Sequence, residues 1–169
     1  MVIEDGAVIA AWGNVKKRVN SHSMRKSYLS ALVGIAIDKG EFNYSKTLEQ
    51  LGIDDDVPPA LSKVEKQATI QDLLKARSGV YHPAAYETKN MKKRRPKRHS
   101  HKPGTFWYYN NWDFNALSTI YTQETGNDLF KAFKNLIASP IQMQDYRIKD
   151  GSYILKKDSS HAAYTISLS

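Results

Sequence analysis

Between Ser23 and Asp38, the apolar residues Leu29, Leu32, Val33, Ala36 and Ile37 follow the i, i+3, i+4, i+7, i+8 series of one buried helical face. That stripe must be covered, so the chain has to build a core around this helix. Gly40, just past the last apolar position, supplies a C-terminal cap. Two polar residues mark the helix head. Ser23 stands where a capping hydroxyl belongs. Lys26 lies one turn before Leu29, on or beside the apolar stripe. A lysine drawn toward such a face loses hydration, which favours its neutral form and lets it act as a base. At i, i+3 the two side chains are close enough to exchange a proton. Ser23-Met24-Arg25-Lys26 therefore has two readings, a plain cap beside a lysine or a nucleophile with its base. About one or two S-x-x-K tetrads arise by chance in a chain this rich in Ser and Lys, so its placement says more than its presence.

The 169 residues are enough for one domain with a real core, and 41% hydrophobic content excludes wholesale disorder. The absence of cysteine excludes a disulfide scaffold, a thiolate nucleophile and Cys-based zinc sites. The longest apolar run, Ala31 to Ile37, is far short of the roughly 18 residues a membrane span needs. The N-terminus has neither a basic n-region nor an apolar h-region. The chain as given is thus expected in the cytoplasm, without a membrane span.

The formal charge of +8 is local. Lys89, Lys92, Lys93, Arg94, Arg95, Lys97, Arg98 and Lys102 fall in one stretch with no acidic residue. Elsewhere 17 basic residues face 17 acidic ones. Such a run is either a solvated loop or an anion-binding segment for phosphate-bearing partners, with Trp107 and Tyr108 available to stack on bases. The solvated loop is the commoner outcome, so nucleic acid is not the partner expected. His99 and His101 have no carboxylate close in sequence, and no metal site is expected.

Along the chain, Asp5-Gly6 between short apolar runs predicts a β-hairpin over 1–14. Tyr44 to Leu51 is expected to add a short helix. Thr69 and Asp72 form a loose capping box at the head of a helix ended by Ser78-Gly79. Tyr81 to Thr105 has no periodicity and predicts a long surface loop. Helices are expected over Asn115–Glu124 and Asp128–Ala138, and beyond Gly151 the chain is polar and weakly patterned. Tyr109 and Asn111, ahead of the first of these helices, can point into one cleft. A phenol near a lysine can relay protons, and a carboxamide can hold a substrate amide. Packing and capping are their ordinary alternatives.

Taken together, these segments resemble the serine β-lactamase and penicillin-binding-protein superfamily, on the class C β-lactamase-related side that includes esterases and D-amino-acid peptidases. Ser23-Met24-Arg25-Lys26 is similar to its first box. Tyr109-Asn110-Asn111, preceded by Pro103-Gly104-Thr105, is similar to its Y-x-N second box. Leu73-Leu74 through Ser78-Gly79 resembles the landmark between them. The resemblance runs in order from about Val2 to Tyr164. It implies an α+β fold, a helical region plus an antiparallel sheet. It implies Ser23 as acylated nucleophile, Lys26 as proton acceptor, Tyr109 as partner base and relay, and Asn111 as a contact to the substrate. The substrate would be a small-molecule or peptide amide or ester, and no cofactor is implied. The family's third box, a Lys or His followed by a small residue and Gly on a late strand, has no credible counterpart. Arg77-Ser78-Gly79, Lys102-Pro103-Gly104 and Lys149-Asp150-Gly151 match only superficially. The chain is therefore expected to be a partial domain over 1–169. Its parts are the hairpin, the first-box region to residue 80, the basic loop over 81–105, and the second box with helices over 106–169. Its C-terminal sheet strands would be missing. It would need self-association or a complementing C-terminal half, or else persist as an inactive remnant or binding module.

Overall fold

The computed structural model describes residues 1–169. Strands β1 (Val2–Glu4) and β2 (Ala7–Ala10) pair antiparallel across Asp5 and Gly6, whose φ angles of 49° and 78° make the primed turn the sequence calls for. This hairpin pairs with no other strand, and Ile3, Val8, Ile9 and Trp12 are exposed. A second sheet has the order β3-β5-β4, with β3 at Val19–Asn20, β4 at Gly151–Lys156 and β5 at Ser159–Leu168, all antiparallel.

Five α-helices complete the α+β fold: α1 (Arg25–Asp38), α2 (Ile70–Leu74), α3 (Lys89–Arg94), α4 (Trp112–Thr125) and α5 (Leu129–Phe133). The expected stripe of α1 is buried at Leu29, Leu32, Val33 and Ala36, and Gly40 follows at φ 72°. It packs with Leu117, Ile120 and Tyr121 of α4 and Phe130 and Phe133 of α5 in one cluster that also takes in Tyr164 and Ile166 of β5. The capping box of α2 is present: Asp72 N donates to Thr69 Oγ1 at 3.1 Å, and Thr69 N donates to Asp72 Oδ2 at 2.9 Å.

Three expectations are corrected. Residues 44–51 are not helical. Their backbone pairs instead with 66–71, through Leu48 N to Ala68 O at 2.9 Å and Ile70 N to Lys46 O at 3.1 Å. The 81–105 segment is not a plain loop, because it contains α3 and buries Tyr81, His82, Ala84 and Ala85. Residues 151–168, expected to be weakly patterned after the last helices, form the β4–β5 hairpin.

The exit of α2 is tied to the approach of the Tyr109 segment. Gly104 N donates to Arg77 O at 2.8 Å, and Tyr108 N to Ala76 O at 2.9 Å. Gly79 sits between them at φ 73°, and a Cβ there would lie 2.9 Å from His101 O and 3.1 Å from Pro103 N. Positive φ and close backbone both demand glycine. Ser78 Oγ donates to Asp113 Oδ1 at 2.5 Å, so the Ser-Gly pair ties α2 to the head of α4. Gly79→Ala should lower the unfolding free energy by about 2 kcal/mol or more, since αL strain and backbone overlap add. Denaturant unfolding reads this, and a loss within the range of a surface substitution would contradict it.

The basic segment is anchored at a buried acidic site. Arg98 donates to Glu65 Oε2 at 2.8 Å and to Ala60 O, and His82 pairs with Asp55 and faces Glu65. Burial alone would lower the His82 pKa, but hydrogen bonds to Asp55 and Glu65 outweigh it and raise it to about 8. Burial would raise Glu65, but bonds from His82, Arg98 and Ser62 hold it well below the usual carboxylate range. His82 therefore adds stability in full below its ordinary value of 6.5, lost as pH rises through about 8. Glu65 adds stability above its ordinary 4.5, lost as pH falls. His161, lowered by burial, opposes acidification below 6.5. Lys26, whose pKa burial lowers to about 7, acts in the opposite direction above that pH, so the His82 contribution is read as a difference: between pH 6.5 and 8 the wild type should lose stability relative to His82→Gln. Parallel pH profiles for the two proteins would show that His82 makes no such contribution.

Candidate active site

Asn20, Ser21 and His22 set the head of α1. Ser21 N donates to Ile166 O of β5 at 2.8 Å, and His22 N to Asn20 Oδ1 at 2.8 Å. His22 takes φ 47°, a left-handed conformation that non-glycine residues seldom adopt. A single 3-10 turn, His22–Met24, then carries Ser23 into α1. Strain of this kind persists only where surrounding contacts hold it, and here those contacts present Ser23 at the surface.

Lys26, one turn on, is only 6% exposed. Its Nζ lies 3.4 Å from Ser23 Oγ, 2.7 Å from Tyr109 OH and 2.8 Å from Asn111 Oδ1. The structure thus brings together all four residues singled out from the sequence. Burial, and then the neighbouring Arg25 cation, lower the Lys26 pKa to about 7. A neutral amine has two N–H donors and one lone pair. With Asn111 Oδ1 and Tyr109 OH as acceptors, the lone pair is left for the Ser23 hydroxyl proton. The 3.4 Å separation is long for a proton transfer, as in many sites without substrate.

Asn111 has no free polar end. Its Oδ1 accepts from Lys26, its Nδ2 donates to Tyr86 O at 2.8 Å, and it is 3% exposed. In this state it orients the lysine and does not offer its amide to solvent. Tyr109 is partly exposed, and Lys26 Nζ lies 4.5 Å from its ring centre.

The sequence reading missed three residues. Arg25 is 1% exposed with no carboxylate partner, and its guanidinium lies 5.5 Å from the Tyr86 ring centre and 5.1 Å from that of Tyr164. Tyr86 OH also accepts from Asn20 Nδ2 at 3.0 Å, so one residue links the loop, the turn before Ser23 and Asn111. Tyr164 of β5 closes the other side. The only local signal was Arg25 itself, a second cation inside the tetrad. Tyr86 and Tyr164 reach it from 61 and 139 residues away, distances over which a sequence pattern carries no information.

The sequence matches the Beta-lactamase family over residues 1–165. The chain belongs to the Beta-lactamase family. Several solved structures share its fold, two of them SurE chains. One is described as SurE with D-Leu, at 17% identity and TM-score 0.54, covering 79% of this chain and 29% of that one. The other is SurE, at 16% identity and TM-score 0.56, covering 87% of this chain and 38% of that one. This chain therefore spans about a third of the length of the two SurE chains. A search of curated proteins returned no match. No helix of this Beta-lactamase-family chain is long and apolar enough to cross a membrane.

The three third-box look-alikes are engaged elsewhere. Ser78-Gly79 holds α2 to α4, Gly104 is bonded to Arg77, and Gly151 opens β4 against the Phe130 ring. In a lysine-labelled sample, the Lys26 side chain should titrate by NMR near pH 7, and Arg25→Met should move its midpoint upward by removing the neighbouring charge. A Lys26 midpoint near 10 in the wild-type chain would contradict the buried geometry.

Proposed function

We propose that this chain carries the nucleophile of a serine hydrolase that acts on an amide or ester through an acyl-serine intermediate. The carrying observation is the Lys26 amine, buried without a carboxylate and in contact with Ser23 Oγ, Tyr109 OH and Asn111 Oδ1. Membership of the Beta-lactamase family supports the reading, and so does the α+β arrangement of a partial serine β-lactamase-like fold.

Ser23 Oγ attacks the substrate carbonyl as its proton passes to Lys26 Nζ. The carbonyl π electrons move to oxygen, and the Ser23 backbone N–H is the donor nearest in sequence to receive that charge. Collapse of the tetrahedral species expels the amine or alkoxide, which takes the proton through Tyr109 OH. Water then repeats the sequence on the acyl-serine. Asn111 Oδ1, accepting from Lys26 Nζ, keeps the amine turned to Ser23 in both of its protonation states. The SurE structure with D-Leu makes D-amino-acid amides a reasonable first substrate class to test alongside β-lactams and simple esters.

A fluorophosphonate needs an activated serine more than a complete pocket, so it should label Ser23. Ser23→Ala should abolish the label and Lys26→Ala should slow labelling by about 10²-fold or more, in line with loss of a general base. Turnover of β-lactams and 4-nitrophenyl esters by the chain alone should be negligible. Loss of one oxyanion donor typically costs about 10²–10³ in rate, and no residue here is assigned as the second. Mass spectrometry locates the label. Label on another serine, or labelling indifferent to Lys26, would remove the Ser–Lys assignment and leave a binding module.

A further inference from the structure

A cavity of about 460 Å³ opens beside Tyr109, lined by Asn90, Met91, Arg94, Trp107, Tyr108 and Tyr109. That is the size of an ordinary small-molecule site, and its walls are aromatic and thioether surface with one cation. Tyr109 belongs to both places: it lines the cavity, and its hydroxyl lies 2.7 Å from Lys26 Nζ. Trp107 is 59% exposed, so its indole is open to a ligand in the cavity.

The backbone that carries the cation is held in place. Tyr108 OH donates to Met91 O at 3.0 Å, and Thr88 Oγ1 caps the start of α3 by accepting from Met91 N. Just past α3, Arg95 is pinned by Glu87. Arg94 itself has no carboxylate partner, in contrast to Arg95 and Arg98. Lys89 and Lys93 on the same helix are also unpaired, Lys92 stands 4.0 Å from Asp158, and residues 89–102 contain no acid. A guanidinium carried on this anchored backbone beside aromatic residues fits a planar anion, with bidentate pairing to a carboxylate and stacking on a ring.

We infer that this cavity is a substrate subsite that selects amides or esters whose side group is an aromatic or similarly flat apolar body bearing a carboxylate. Arg94 receives the carboxylate, and Trp107, Met91 and Tyr109 cover the apolar body. The inference rests on the acyl-serine reading for the word substrate, whereas the binding itself does not.

The test uses 4-phenylbenzoate and its uncharged isostere 4-phenylbenzamide, titrated calorimetrically into the full chain, with fluorophosphonate labelling of Ser23 followed in parallel. The carboxylate should bind at least tenfold more tightly than the amide at low salt, with the difference shrinking as salt rises. Arg94→Gln should erase that preference, and Trp107→Ala should weaken both ligands. 4-Phenylbenzoate should also slow Ser23 labelling saturably. Equal affinities, or a preference unchanged in Arg94→Gln, would overturn the subsite. Binding that leaves the labelling rate untouched would overturn it as well, because the cavity would then be separate from the nucleophile. If Ser23 takes no label at all while the Arg94-dependent preference persists, the acyl-serine reading fails and the anionic-aryl site stands.

Discussion

An amine held out of water with no carboxylate to pair it is the feature around which the rest of the molecule is arranged. Lys26 is buried, and so is Arg25 beside it, and neither has an acidic partner. Two adjacent cations in such a place cost stability, and an isolated buried charge normally sheds its proton. The guanidinium cannot do so, and the aromatic faces of Tyr86 and Tyr164 replace part of its lost hydration. The amine can, and its pKa falls to about 7. One residue stays charged so that its neighbour is more easily neutral.

Holding that lysine requires three separated stretches of chain to meet. The turn before α1 is fixed through Asn20 and Ser21 by Tyr86 and β5. The Tyr109-Asn111 segment is fixed by the exit of α2, through Gly79 and through Ser78 on Asp113. Burial pushes the Asp113 carboxyl up to about 7 although Ser78 Oγ donates to it, and the Asp113 backbone N–H donates to Asn110 Oδ1, so this joint is itself polar and enclosed. The 29-residue apolar cluster supplies the rigidity these joints need. Packed cores do not deform continuously, and the polar groups they surround therefore keep their relative positions.

What could be read from the sequence follows from how local its cause was. The α1 stripe, the Thr69-Asp72 box, the Asp5-Gly6 turn and the glycine stops are effects of a few neighbouring residues, and each is where the pattern put it. Ser23 and Lys26 share a helix turn, so their pairing was legible too. Residues 44–51 went wrong because their backbone bonds to 66–71, a partner the local pattern does not see. The β4–β5 hairpin was hidden for another reason. Ala163, Tyr164, Thr165 and Ile166 are all buried in succession, since β5 is covered on both faces, and alternation is lost. Arg25 was visible as a residue, but its aromatic clamp was not.

The basic stretch shows how the same composition divides into two physical roles. A run of eight like charges is expected to repel itself and stay solvated. Here Glu87 and Glu65, both nearly buried, take Arg95 and Arg98, and each of those pairs fixes the backbone on the C-terminal side of α3. His101 stacks on Phe106 at 3.9 Å between ring centres, fixing the chain as it returns toward Trp107. The anchored cations thus fix the backbone that carries Arg94, the one cation lining the cavity beside Tyr109. A flexible loop would bring charge to that cavity only at an entropic cost on binding. A segment already tied on both sides meets the backbone share of that cost during folding and leaves only the Arg94 side chain to be ordered on binding.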